Sequence, residues 1–283
     1  MVLLVELIKA LLLGIIQGIT EWLPISSTGH LILFNALFPL NVSDDFLSMF
    51  DVVVQLGSIL AVLVIYFHRL NPWSGRKTAE EKKYTLTMWG KILIAVLPAA
   101  VIGVLFDDII DGYLSTPIVI AAALILYGVA FIVIERARQN RPFHTERPED
   151  ITMRAALGVG AFQMLSLIPG TSRSGSTIMG AMLLGVSRTA AAEFSFFLAV
   201  PVMFGASGLR GLKYVLKVVS GEAEMFGATE LWVLLVGTVA AFLVSLVVVR
   251  FLVSFVRRHS FASFGWYRIV LGVVVLAYFL LIR

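Results

Sequence analysis

Gln17-Gly18-Ile19-Thr20-Glu21-Trp22-Leu23-Pro24-Ile25-Ser26-Ser27-Thr28-Gly29-His30 interrupts an otherwise apolar N-terminal region. The stretch carries one carboxylate (Glu21), three hydroxyls in a row (Ser26, Ser27, Thr28), a glycine and a histidine, and Pro24 breaks the helix just before the hydroxyls. An ionisable side chain at membrane depth costs on the order of 3 kcal/mol or more and marks a functional site by default. How the rest of the chain is built around this stretch decides the fold.

The surroundings are those of a membrane. Of 283 residues, 59% are hydrophobic and only 14% charged, against about 25% charged in a soluble domain. Ten apolar segments can be drawn, from Leu3–Ile19 at the start to Ile269–Ile282 at the end. A bilayer-spanning helix needs about 20 such residues. The runs are continuous rather than alternating, so the class is all-α and polytopic, not a β-barrel. With no cysteine, disulfides and thiolate metal sites are excluded. The net charge of +4 is mostly loop Arg and Lys and reads as a topology signal rather than a nucleic-acid patch. The first apolar run lacks a basic leader and an Ala-x-Ala site, so it is not expected to be a cleaved signal peptide.

Segments two (Leu31–Phe38) and seven (Ile178–Val186) are too short to span, and each follows a Pro/Gly/Ser-rich break. Broken helices at membrane depth persist only where protein or a wet cavity surrounds them. Segments one–two and six–seven are therefore expected to be re-entrant hairpins, with three spanning helices after each. The halves also repeat: Gly14, Gln17, Ser26 and Gly29 find the same residue 146 positions on, at Gly160, Gln163, Ser172 and Gly175, and Thr28 falls on Ser174. The expectation is one integral-membrane domain over 1–283. It would contain inverted repeats over about 1–135 and 151–283, a cytoplasmic linker at about 136–150, and a site where the repeats meet.

Lys and Arg set the sidedness. They crowd the Phe67–Met88 loop and the central linker, which are expected to be cytoplasmic; the Phe38–Asp51 and Asp107–Pro117 loops have none and are expected outside. Arg210, Lys213 and Lys217 break this rule, because the connection they precede should be external.

The polar residues suggest phosphate chemistry. Arg173 lies between Ser172 and Ser174 among glycines, and a guanidinium fork suits phosphate oxygens; a helix start after it would add backbone N–H groups. The alternative is an ion pair with Glu21 or Glu193. Ser27 and His30 are three apart, on one helical face, so Ser27 can be a nucleophile with His30 as its base, or His30 can be a hydrogen-bonded interfacial residue. Glu21 could orient His30, hold a divalent cation, or cap a half-helix. Gln17 lies one turn before Glu21 on the same face, and for both the simpler alternative is hydrogen bonding between helices. Asp51 and Glu193 are expected to cap the first turns of their segments.

The opening stretch and Pro169-Gly170-Thr171-Ser172-Arg173-Ser174-Gly175 resemble the two signature motifs of the undecaprenyl-diphosphate phosphatase, or bacitracin-resistance, family. The similarity extends over Phe50–Val62 and Gly185–Pro201. The resemblance implies hydrolysis of the C55 lipid diphosphate to its monophosphate for reuse in peptidoglycan synthesis, in the bacterial plasma membrane. Together with the residues themselves it makes Ser27, His30, Glu21 and Arg173 the expected catalytic groups, with Ser27 as nucleophile and His30 as base and later acid, or His30 itself as nucleophile. Ser26, Thr28, Gly29, Ser172, Ser174, Gly175 and Thr177 would bind phosphate, with Gln17 and Gln163 in support. A cation such as Mg²⁺ or Ca²⁺ at Glu21 would offset phosphate charge. Family members often have Glu where this chain has Gln17, leaving Glu21 as the only acid of the motif. The expected partners are the polyprenyl diphosphate and membrane lipids, the site opening outward. A lipid-phosphate flippase fits the same repeat architecture.

Overall fold

The computed structural model describes residues 2–139 and 141–281, with the backbone alone at 2, 107–109 and 111. It is helical throughout: α1 (Val2–Thr20), α2 (Ser27–Leu37), α3 (Asp44–Ile65), α4 (Phe67–Leu70), α5 (Ala79–Leu114), α6 (Pro117–Arg138), α7 (Met153–Gln163), α8 (Arg173–Leu183), α9 (Arg188–Ser220), α10 (Ala228–Val256) and α11 (Ala262–Leu281). Seven of these (α1, α3, α5, α6, α9, α10 and α11) are long and apolar enough to cross a membrane, so this is a multi-pass membrane protein. Its outward faces carry exposed Leu, Val and Phe, such as Val104, Leu126, Val247 and Val270, as a lipid-facing surface requires.

Several helices start earlier and run longer than their apolar runs suggested. Hydroxyl caps decide the starts: Ser43, Thr78, Thr116, Thr152 and Ser187 each accept a backbone N–H from the first turn. Asp51 therefore lies two turns inside α3 rather than at its beginning. Glu193 lies inside α9, where it takes an ion pair from Arg69 at 3.0 Å; neither residue is a first-turn cap. The expected external loop at Asp107–Pro117 is largely the last turns of α5, which ends at Leu114.

Contacts define two ends of the molecule. At one end, Asn41 N–H donates to Glu6, Lys9 donates to the Pro39 carbonyl, Lys217 pairs with Asp45 and Phe226 packs on Phe46. At the other end, Arg69 pairs with Glu149, Lys91 donates to the Glu149 carbonyl and His144 N–H donates to the Gly185 carbonyl. The α1–α2 hairpin opens at the first end and the α7–α8 hairpin at the second. Both hairpins thus return to the end from which they enter, and their tips point inward.

Each hairpin is clamped by a partner helix at very close range. A Cβ at Gly14 of α1 would stand 2.3 Å from the Gly237 carbonyl oxygen of α10, and a Cβ at Gly160 of α7 would stand 2.4 Å from the Ala95 carbonyl oxygen of α5. These two glycines are the pair related by 146 positions, and no larger residue fits at either. The main core lies on α9, where Phe194, Phe196 and Phe197 are fully buried against both hairpin tips.

Candidate functional site

The two tips have the same backbone. Ser26 and Ser172 cap α2 and α8 with left-handed φ of 72° and 74°, and no other non-glycine residue described has a positive φ. Their hydroxyls accept the N–H of Gly29 and of Gly175. Such a conformation costs about 1–3 kcal/mol for a residue with a side chain and persists where the surroundings over-determine it, commonly at functional sites. Here it aims two 11-residue helix N-termini, with their unpaired N–H groups and positive dipole ends, toward one place.

That place is a cavity of about 200 Å³ lined by Thr20, Glu21, Ser26, Ser27 and Thr28 of the first tip, Ser166, Gly170, Ser172 and Arg173 of the second, and Gln55, Val202, Met203 and Ala206 of α3 and α9. Two larger cavities, about 560 and 520 Å³, lie beside the α4–α5 connection, one among charged loop side chains and one apolar around Trp73 and Trp89. Neither contains a tip residue. The small cavity, not the large ones, gathers the chemistry-bearing groups.

Arg173 spans the two tips. One guanidinium arm donates to Glu21 at 3.1 Å and the other to the Ser195 carbonyl at 2.9 Å. Its Nε is buried without a partner, and its charge sits 6.0 Å from the Trp22 ring centroid. Both readings of this residue thus have an observation behind them, an ion pair with Glu21 and a place on the cavity wall. Glu21 also accepts from Gln17 at 2.9 Å, a local bond one turn apart rather than one between helices. Gln17 Oε1 and both amide atoms of Gln163 are buried and unpartnered, a state uncommon for buried polar groups.

The remaining sequence-derived residues divide between the cavity wall and its frame. Ser26, Ser27, Thr28 and Ser172 line it. Ser174 is 1% exposed and turns its hydroxyl to the Glu21 carbonyl, tying tip to tip. Thr177 shares a 2.7 Å hydrogen bond with Ser195 Oγ, and Gly175 gives its N–H to the Ser172 cap. These three are framework. His30 does not line the cavity. Its Nδ1 is 2.7 Å from the Ser26 carbonyl and its Nε2 is 2.7 Å from the Tyr267 hydroxyl, with the two rings stacked. A carbonyl only accepts, so Nδ1 carries the proton and, in the neutral ring, Tyr267 donates to Nε2. No hydrogen bond joins Ser27 to His30 here.

Two contributors were not read from the sequence. Gln55 on α3 faces the cavity from inside an apolar run. Arg268 on α11 is wholly buried and donates to the Pro24, Gly170 and Thr171 carbonyls at 3.2, 3.0 and 2.8 Å. Pro24 and Gly170 are themselves related by the 146-residue offset, so one guanidinium clasps the same carbonyl in both tips. In sequence Arg268 looks like the last of a basic loop.

For a cation, the test is the donor set. Among the described residues no three His, Cys, Asp or Glu side chains gather to hold a metal. One carboxylate and an unpartnered amide oxygen suit a hard, oxygen-seeking ion that takes most of its ligands from substrate phosphate.

The fold and site define a class: a multi-pass helical membrane protein with an anion-suited cavity between two broken-helix tips. The family described as bacitracin resistance protein BacA matches residues 10–274, and the chain belongs to that family. It is 52% identical over 272 residues to an undecaprenyl-diphosphatase of Enterococcus faecalis, covering 96% of this chain and 97% of the relative. It is 53% identical over 281 residues to undecaprenyl-diphosphatase 1 of Clostridioides difficile, covering 99% and 98%. An undecaprenyl-diphosphatase of Acetivibrio thermocellus is 50% identical over 280 residues, covering 99% and 100%.

Proposed function

We propose that this protein hydrolyses undecaprenyl diphosphate to the monophosphate and inorganic phosphate, with the terminal phosphate in the cavity between the tips. The observation that carries the reading is the convergence of two helix N-termini, the hydroxyl residues Thr20, Ser26, Ser27, Thr28, Ser166 and Ser172, and the Arg173 fork on one small cavity in a lipid-embedded fold. Arg173, Ser26, Thr28 and Ser172, with the amides at the starts of α2 and α8, hold phosphoryl oxygens and the charge that develops on them. Glu21 holds Arg173 in register until substrate exchanges for part of that ion pair.

Ser27 Oγ is the nucleophile. It attacks the terminal phosphorus, the anhydride P–O bond breaks, and undecaprenyl monophosphate leaves; water then releases phosphate from the serine. His30 takes the Ser27 proton and later returns one to the leaving oxygen. That role requires Nε2 to exchange the Tyr267 hydroxyl for Ser27. A divalent cation such as Mg²⁺ or Ca²⁺ would be held by Glu21 and Gln17 Oε1; when bound it offsets phosphate charge.

The two halves are inverted repeats within one membrane domain, the basic end is cytoplasmic and the Asn41 end is external. The site opens outward in the bacterial plasma membrane. Acid-quenched single turnover with substrate labelled in the terminal phosphate should leave label on Ser27. Label on His30 instead would replace the serine mechanism with histidine attack. Turnover with no protein label at any quench time would remove covalent catalysis.

A further inference from the structure

One polar side chain of the cavity between the tips neither belongs to a tip nor pairs within the protein. Most of the others are committed. Thr20 donates to the Ile16 carbonyl and Ser166 to the Gln163 carbonyl, both at 2.7 Å. Ser26 and Ser172 accept the N–H groups of Gly29 and Gly175, and Glu21 and Arg173 hold each other at 3.1 Å. Ser27 and Thr28 face the cavity from the start of α2, as nucleophile and phosphate ligand. Gln55 of α3 remains. It lines the cavity and is half-buried, and among the described residues no hydrogen bond occupies its amide. It stands within Val52-Val53-Val54-Gln55-Leu56, and a polar side chain inside a spanning helix is costly and commonly functional. The other residues that α3 and α9 bring to the cavity, Val202, Met203 and Ala206, are apolar.

The place of this amide suits one step. The tip N-termini and Arg173 hold phosphoryl oxygens, so the α3–α9 wall is the side left for the departing group and for the water that takes its place. Attacking and leaving oxygens lie roughly in line in phosphoryl transfer. Water that releases phosphate from Ser27 must therefore stand where the leaving oxygen stood, against a wall with a single polar anchor. A water takes about 30 Å³, and the cavity of about 200 Å³ has room for it. An amide accepts a water hydrogen through its oxygen, donates through its nitrogen and stays neutral beside phosphate; a glutamine orients the attacking water in GTPases.

We propose that Gln55 is a catalytic residue of the second half-reaction, in which it places the water that hydrolyses the phosphoserine at Ser27. The inference rests on the phosphatase reading above. The water oxygen bonds to phosphorus as the phosphorus–Oγ bond breaks. Gln55 Oε1 holds one water hydrogen, which stays with the phosphate. The other passes as a proton to His30, which returns one to Ser27 Oγ. Gln55 neither gains nor loses a proton.

Undecaprenyl diphosphate labelled in its terminal phosphate is mixed with the purified protein in detergent micelles and quenched in acid through the first turnover. Undecaprenyl monophosphate, free phosphate and protein-bound label are measured together, beside a thermal melt of each preparation. Gln55→Met, close in length but apolar, should form undecaprenyl monophosphate within ~2-fold of the wild-type rate, yet release phosphate at least ~10-fold more slowly, the scale of a misplaced reactant. Label should collect on Ser27 as phosphate release lags. Gln55→Asn keeps the amide but withdraws it by one methylene, and should show the same trap to a smaller degree. Equal slowing of monophosphate formation and phosphate release would make Gln55 a binding group and overturn the assignment, as would wild-type rates in both variants. A wild type that releases no phosphate removes the phosphatase reading and this role with it. An active wild type whose variants slow without label on Ser27 removes the covalent step and the role; an active wild type indifferent to the substitutions removes the role of Gln55 alone.

Discussion

Replacing Arg268 by lysine tests whether one buried guanidinium sets the geometry of both tips. The arginine makes three hydrogen bonds to carbonyls, to Pro24 from Nη1 and to Gly170 and Thr171 from Nη2. Hydrogen bonds from a charged donor contribute about 1.5–3 kcal/mol each, and an abandoned buried carbonyl costs about 1–3 kcal/mol. An ammonium group lacks the planar fork and cannot reach Pro24 and the Gly170–Thr171 pair from one position, so at least one carbonyl loses its partner. The stability loss should be about 1–3 kcal/mol, a Tm decrease on the order of 2–10 °C for a chain of this size. Activity should fall further, because a misplacement of about 1 Å can cost on the order of 10²-fold, and the two carbonyls precede the strained Ser26 and Ser172 caps by only two residues. The assay is phosphate release in detergent beside a thermal melt of the same preparation. Arg268→Lys with wild-type kcat/KM and an unshifted melt would refute the claim that this residue holds the tips.

Other substitutions separate the roles inside the cavity. Ser27→Ala should lower turnover by at least ~10²-fold with an unchanged melt, the scale of a removed catalytic group; near-normal turnover beside an inactive His30→Ala would favour histidine attack. Gln17→Glu should keep activity and tighten dependence on a divalent cation, measured by titration after chelation, whereas an unchanged requirement would make position 17 a packing residue. For sidedness, a cysteine replacing Asn41 should react with an impermeant thiol reagent added outside intact cells and one replacing Lys83 should not; the reverse labelling would overturn the orientation.

Much of this architecture was legible in the sequence because the bilayer imposes coarse rules. Length and apolarity found the spanning helices, and the Pro24 and Pro169–Gly170 breaks found both tips. The 146-residue offset anticipated that Ser26 and Ser172 would do the same job, though not that both would adopt left-handed backbone, which side-chain identity does not encode. Helix ends were misjudged wherever polar turns continue a helix beyond its apolar part, as in α5, or where a serine cap lies well upstream, as at Ser43. Arg268 escaped because a buried arginine with carbonyl partners has no sequence signature of its own; its neighbours Tyr267 and Ile269 look the same as those of a surface arginine. The Ser27–His30 spacing permitted a pair, but a helical face is broad enough for His30 to turn to Tyr267 instead.

The central claim is that the groups gathered between the tips cleave a lipid diphosphate rather than carry it. Purified protein in detergent micelles, where no membrane separates two sides, should release one phosphate per undecaprenyl diphosphate, and Arg173→Ala should reduce that release by at least ~10²-fold. Lipid that remains diphosphate while the wild-type protein binds it would contradict the account and leave a carrier in its place.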